Sequence, residues 1–215
     1  MRNIAVEIAH ILIEIGAVNF APDAPKTFKS GIISPVYVDN RTIPFYPDKW
    51  RQVIDGFRET IASQNIDFDV VAGIAVGGVP HSAALGYAMG KPSVFVRKEA
   101  KEYGLQNRVE GGDVTGRRVL LVEDLVTTGG SSLSGISALR ESGAIIEHCI
   151  VIVRYDFPEA TQNFADGHIA LHTLTTFPVI VEQAVNQGKF TDNELAVIND
   201  WLHDPRGWAG RHGFT

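Results

Sequence analysis

The chain reads as an α/β protein: a doubly wound, mostly parallel sheet with helices on both faces. Three observations predict it. Short continuous apolar runs near 69–74, 93–97, 118–123 and 147–153 have the composition of strands covered on both sides. Helical periodicity fills the intervals near 79–89 and 131–142, and strand–helix alternation of this kind winds into a parallel sheet. Residues 118–132, RVLLVEDLVTTGGSS, run from an apolar strand through two acids into a small, hydroxyl-rich loop, and ligands of open α/β sheets bind at such strand ends.

The remaining elements follow in order. Ile4, Ile8, Ile11, Leu12 and Ile15 share one face of an opening helix that Gly16 ends. Residues 28–41 are too irregular for a parallel core and hold one short strand at Val36, Tyr37 and Val38. Pro47 and Asp48 open a helix with Trp50, Val53, Ile54, Phe57 and Ile61 on one side. The 98–113 connection is long for a compact domain, a length typical of functional lids. A strand near 169–175 and helices near 178–187 and 191–203 complete the chain, which shows no repeat or charged linker.

Composition narrows the function. At 215 residues and 45% hydrophobic, the chain can bury a proper core as one domain with a small accessory element at its amino terminus, about residues 1–45. A formal net charge of −6 argues against a nucleic-acid binder, and positive charge gathers only at Arg97, Lys98, Lys101 and Arg108. No signal peptide is expected, since Glu7 and Glu14 interrupt the first helix, and no apolar stretch approaches the ~20 residues that span a bilayer. A cytoplasmic protein without membrane contact is the expectation. Cys149, alone in an apolar run, reads as a buried strand residue. His168 and His172, read as strand residues, would share a face about 13 Å apart, too far for one metal.

The acid–loop junction suggests one ligand with two parts. Glu123 and Asp124 suit a vicinal diol or a hydrated Mg²⁺, and the loop Thr127, Thr128, Gly129, Gly130, Ser131 and Ser132 at a helix start suits a phosphate. A ribose 5-phosphate meets both demands. A nucleoside triphosphate loop is excluded, because the Gly-Lys pairs at Gly90 and Gly188 are followed by Pro and Phe, and no dinucleotide fingerprint is present.

The stretch VLLVEDLVTTGGS resembles the phosphoribosyl pyrophosphate signature of type I phosphoribosyltransferases. FKSGIISPVYVDNR at 28–41 and FVRKEAKEYGLQNRVEG at 95–111 are similar to the amino-terminal motif and the mobile catalytic loop of orotate phosphoribosyltransferases. AGIAVGGVPHSAAL at 72–85 stands where that family has its pyrophosphate loop, and the four stretches follow the family's order from about residue 16 to 155.

The resemblance implies the type I phosphoribosyltransferase fold over 1–215, with the amino-terminal 45 residues or so as a hood over the site. It implies Mg²⁺-dependent transfer of the phosphoribosyl group from phosphoribosyl pyrophosphate to orotate, in a homodimer with shared active sites and with the metal held mainly by substrate and water near Glu123 and Asp124. Lys101, Arg97 and Asp124 become the catalytic candidates. Lys29, Tyr37, Lys98, Tyr103, Glu123, Thr127, Thr128, Gly129, Gly130, Ser131 and Arg154 join them as substrate contacts. The chain departs from the family at Tyr103, where a histidine is usual, and at Ala75-Val76-Gly77-Gly78, where a lysine is common and only backbone N–H groups can serve an anion here. Arg154 stands either against the orotate carboxylate or as a strand-end surface arginine, and His81 is structural or beside the pyrophosphate loop. A transferase for another base and a non-catalytic sensor of phosphoribosyl pyrophosphate are the other readings.

Overall fold

The computed structural model describes residues 2–99 and 107–214. Asn3 caps the first helix, α1 (Ile4–Glu14), and Gly16 ends it at φ +69°, as the sequence predicts. The amino-terminal segment then forms two small antiparallel pairs, β1 (Val18–Phe20) with β4 (Val36–Val38) and β2 (Lys26–Thr27) with β3 (Ile33–Ser34). A 3₁₀ helix, Asn40–Phe45, leads into α2 (Pro47–Ser63).

The core alternates as expected: β5 (Val70–Ile74), α3 (Gly78–Met89), β6 (Ser93–Val96), β7 (Val109–Glu110), β8 (Arg118–Val126), α4 (Gly130–Glu141), β9 (Ile145–Arg154), α5 (Pro158–Asp166) and β10 (Ala170–Thr176). The helices α6 (Phe177–Asn186), α7 (Asp192–His203) and α8 (Trp208–Arg211) follow. The strand order is β10-β9-β8-β5-β6-β7, parallel except for β7, which pairs antiparallel with β6 at one edge. Both buried faces are visible in β8, where Leu120 and Val122 enter one core and Val119 and Leu121 the other. Helices α1, α2, α6 and α7 supply the first core, and α4 and α5 the second. Burying each such leucine contributes about 1.5–3 kcal/mol.

Topology places the site. From β5 the chain moves through α3 to β6, on one side, and from β8 it moves through α4 to β9, on the other. Neighbouring strands whose connections leave in opposite directions open a crevice at their carboxyl ends. The ladder between β5 and β8 stops at Gly73 opposite Val122, while β8 continues along β9 to Val126. Glu123 and Asp124 therefore lie not at the strand's last residues but where β8 loses one neighbour, inside a strand longer than the apolar run suggested.

Helix α7 ties the amino-terminal segment to this frame. Trp201, fully buried, donates its Nε1–H to the Ile33 carbonyl at 3.0 Å and packs edge-on against Phe28, Tyr155 and Phe177. Trp201→Ala should therefore cost about 3–5 kcal/mol in urea unfolding followed by circular dichroism. A loss below about 1 kcal/mol would mean that this cluster does not anchor the segment.

Candidate active site

Two helix starts and the edge of β8 converge on the crevice. The turn after β5 carries a cis peptide at Ala75-Val76 and brings Gly77 and Gly78 against β8. A Cβ at Gly77 would lie 2.2 Å from Asp124 Oδ2, and one at Gly78 would lie 2.6 Å from the Val122 carbonyl. Glycine is thus the residue that lets α3 start directly beside the Asp124 carboxylate. On the other side Gly129, at φ +85° and backed by Phe164, caps α4. No side chain caps α3 or α4 among the described residues; in α3 the Val79 N–H bonds the Val76 carbonyl and Pro80 has none, which leaves Gly78, while the first-turn N–H groups of α4 are left to an external acceptor.

The two acids occupy different environments. Glu123 is 4% exposed, and its Oε1 accepts a hydrogen bond from the Ser132 hydroxyl at 2.7 Å. Burial, and then the adjacent Asp124 charge, push its carboxyl up to about 8. Asp124 is only partly covered, and burial raises its carboxyl too, opposed by the N–H groups of Asp124 and Leu125 and by Arg41. The Asp124 carbonyl accepts from Asn40 Nδ2 at 2.6 Å. The sequence expectation that Ser132 joins the phosphate loop is corrected, since its hydroxyl is turned back onto Glu123. Thr127 and Thr128 remain half-buried, and Gly130 and Ser131 are exposed at the start of α4. Asn163 on α5 holds the loop from behind, donating to the Thr128 carbonyl at 2.8 Å.

The other candidates fall around this centre. Lys29 is exposed in the turn closed by the bond from the Gly31 N–H to the Phe28 carbonyl, and its charge lowers the Glu123 carboxyl against burial. Tyr37 is half-buried, and burial raises its phenol. Its hydroxyl accepts from Arg41 Nη2 at 3.3 Å, and Arg41 also holds Asp39 through two contacts of 2.7 and 2.8 Å. Arg97 pairs with Glu110 at 3.2 Å, the exposed Lys98 sits 3.8 Å from Glu99, and Arg154 pairs with Asp156 at 2.6 Å. Lys101 and Tyr103 lie outside the described residues.

One further reading changes. His168 is not in a strand but closes α5 with φ +54°, so it shares no face with His172. His172 instead meets His148 of the neighbouring strand, ring nitrogens 3.1 Å apart. Arg41, Asn40 and Asn163 went unassigned in the sequence, although the first two stand inside the 28–41 motif.

Residues 48–167 match the phosphoribosyl transferase domain family. An orotate phosphoribosyltransferase of Coxiella burnetii is 41% identical over 206 residues, covering 96% of this chain and 99% of its own length. The solved orotate phosphoribosyltransferase of Aeropyrum pernix superposes with a TM-score of 0.73 at 28% identity, covering 86% of this chain and 99% of that one. UMP synthase of Leishmania donovani gives a TM-score of 0.80 at 26% identity over 92% of this chain, which spans 42% of that longer protein.

The raised Glu123 carboxyl has a thermodynamic consequence. Folded Glu123 keeps its proton up to about pH 8, whereas the unfolded chain releases it near 4.5. Between those values the folded state binds the extra proton, so stability of the ligand-free protein should fall as pH rises, by up to about 1.4 kcal/mol per pH unit. Glu123→Gln should flatten that slope when urea midpoints are compared at about pH 5.5 and about pH 7.5. Equal slopes in both proteins would show that Glu123 is not buried as a neutral acid.

Proposed function

The chain belongs to the phosphoribosyl transferase family, and within it to the orotate phosphoribosyltransferases, and on that premise we propose how its residues divide the reaction. The 5-phosphoribosyl group of phosphoribosyl pyrophosphate passes to N1 of orotate, giving orotidine 5′-monophosphate and pyrophosphate, a step of pyrimidine biosynthesis. The observation that carries the assignment of residues is the acid pair of β8 set between two uncapped helix starts. Full-length likeness to orotate enzymes leaves no support for another base or for a non-catalytic sensor.

Breaking the C1–O bond leaves a ribosyl centre with oxocarbenium character and puts negative charge on the departing pyrophosphate. Asp124 accepts the ribose hydroxyls and holds the sugar while orotate N1 forms the new bond to C1. Neutral Glu123 supports the same group as a proton-bearing neighbour rather than a second charge. The α4 start, with Thr127, Thr128, Gly129, Gly130 and Ser131, cradles the 5′-phosphate. The Gly77-Gly78 start of α3 receives pyrophosphate oxygens, with Arg97 and Lys98 nearby in sequence at the end of β6. By family resemblance Lys101 and Tyr103 complete the leaving-group side. Tyr37 and Lys29 face the base, and Arg154, already paired with Asp156, is a weaker candidate for the orotate carboxylate.

Among the described residues no three His, Cys, Asp or Glu side chains gather as a metal cage. Asp124 would be the carboxylate that holds a hydrated Mg²⁺ beside the substrate. That ion would supply neutralisation of the leaving group. Large apolar side chains left in solvent, Phe45 at 82%, Tyr87 at 91% and Val76 at 78% exposed, support a homodimer that covers them. No described helix is long and apolar enough to cross a membrane, and with soluble phosphorylated substrates the cytoplasm is the proposed place of action. We place the whole chain in one domain, with about residues 1–45 as its hood.

Pyrophosphate release measured with phosphoribosyl pyrophosphate, Mg²⁺ and a panel of bases should be fastest with orotate. Lys29→Ala should raise KM for orotate more than KM for phosphoribosyl pyrophosphate. Faster turnover of uracil, hypoxanthine or guanine would refute the substrate assignment.

Shared sites make a second expectation. If Lys101 of one subunit serves the Asp124 site of its partner, Lys101→Ala and Asp124→Asn proteins should each be nearly inactive. Mixed after dissociation, half the dimers are hybrids with one intact site of two, so about a quarter of wild-type activity should return. A mixture as inactive as its parents, despite proven exchange, would place the loop in its own subunit's site.

A further inference from the structure

A buried polar chain runs beneath the site through residues to which no substrate contact has been assigned. Trp50 on α2 donates its Nε1–H to His81 Nδ1 at 3.1 Å. That bond leaves the proton of the neutral ring on Nε2, which lies toward the Asn40 backbone but makes no hydrogen bond of its own. His81 is fully buried, and burial depresses its imidazole to about 4, so the ring stays neutral at working pH and its tautomer is fixed. Asn40, 1% exposed, then donates Nδ2 to the Asp124 carbonyl at 2.6 Å.

The position of that last bond matters. Asp124 lies beyond the end of the β5–β8 ladder, so the strand that would have served its backbone has turned away into the glycine loop. A buried carbonyl without a partner is destabilising. The Asn40 amide fills that place, and it comes from the amino-terminal segment rather than from the sheet. The residues flanking Asn40 are tied to Tyr37, assigned above to the base: Asp39 is held by Arg41, and Arg41 reaches the Tyr37 hydroxyl. One side chain thus joins the base-facing segment to the backbone of the residue that holds the sugar.

We propose that Asn40 is a positioning residue that holds the Asp124 carboxylate in its working place through the Asp124 backbone, with the bonded Trp50–His81 pair buried close behind it. The hood and the ribose grip then move as one unit, so orotate bound by the hood also sets the sugar's geometry. This rests on the assignment of Asp124 to the ribose hydroxyls.

A double-mutant cycle separates positioning from mere support. Asn40→Leu keeps the branched shape and removes the donor, and it should lower kcat about tenfold in the wild-type background but less than about twofold in Asp124→Asn. Thermal unfolding of each protein removes any share due to loss of folded enzyme. Equal factors in both backgrounds, with Asp124→Asn itself slow, would overturn this proposal alone. A normal rate in Asp124→Asn would overturn the ribose assignment, and the proposal with it. Trp50→Phe, which removes the N–H bonded to His81 together with part of the indole ring, decides the matter if Asn40→Leu does not fold. A loss of about threefold in wild type and none in Asp124→Asn supports the link, and an equal loss in both or none in either overturns it.

Discussion

Two adjacent carboxyl groups withdrawn from water at the edge of a parallel sheet are the constraint around which the molecule is arranged. Isolated burial of an ionised carboxylate costs far more than a domain of this size can spare. The structure resolves this by treating the two acids differently. Glu123 is driven toward its neutral form and bonded to Ser132, while Asp124 keeps partial exposure and backbone N–H donors. Because only one of them carries full charge readily, the crevice presents a single concentrated anion rather than two that repel each other. The glycines at 77 and 78, the uncapped start of α3 and the amide of Asn40 all follow from the need to pack close to that pair.

Handling anionic substrates on an acidic chain poses a second problem. Among the described residues, most cations near the crevice already have carboxylate partners: Arg41 has Asp39, Arg97 has Glu110 and Arg154 has Asp156. Lys29 has no ion pair there and instead feels Glu123. Backbone N–H groups at the helix starts bring partial positive charge to the crevice without a counter-ion to displace. Pairs such as Arg97–Glu110 are partly exposed and worth little to stability, so an incoming pyrophosphate can compete for the arginine at small cost.

Much of this was legible in the sequence because it rests on local rules. Continuous apolar runs located β5, β6, β8 and β9, and the EDLVTTGGS junction located the crevice before any topology was known. The misses share a different cause. Helix α5 has only nine residues and two buried positions, and the two-residue strands β2, β3 and β7 have no periodicity to detect. Ser132 reads as one more hydroxyl of a phosphate loop, and only its place one helical step inside α4 turns it toward Glu123. Asn40 and Asn163 act on carbonyls 84 and 35 residues away in sequence, contacts that no local pattern encodes. Length of β8 was missed for the same reason: Leu125 and Val126 are strand only because β9 still pairs with them.

The amino-terminal segment shows how an irregular piece of chain can be held accurately enough to face a reaction centre. Its strands are two or three residues long and too short to be stable by themselves. Its order is imposed from two sides. Trp201 of α7 takes the Ile33 carbonyl and stacks edge-on against Phe28, while Asn40 reaches forward to β8. Tyr155, fully buried at the end of β9, touches Phe28, Phe157, Phe177 and Trp201 at once and joins the two anchors through the sheet itself. An aromatic at that place fills with hydrophobic contact a position next to Arg154, and Arg154 in turn finds Asp156 rather than the crevice. The anchors that order the segment also set where its own cation, the exposed Lys29, stands.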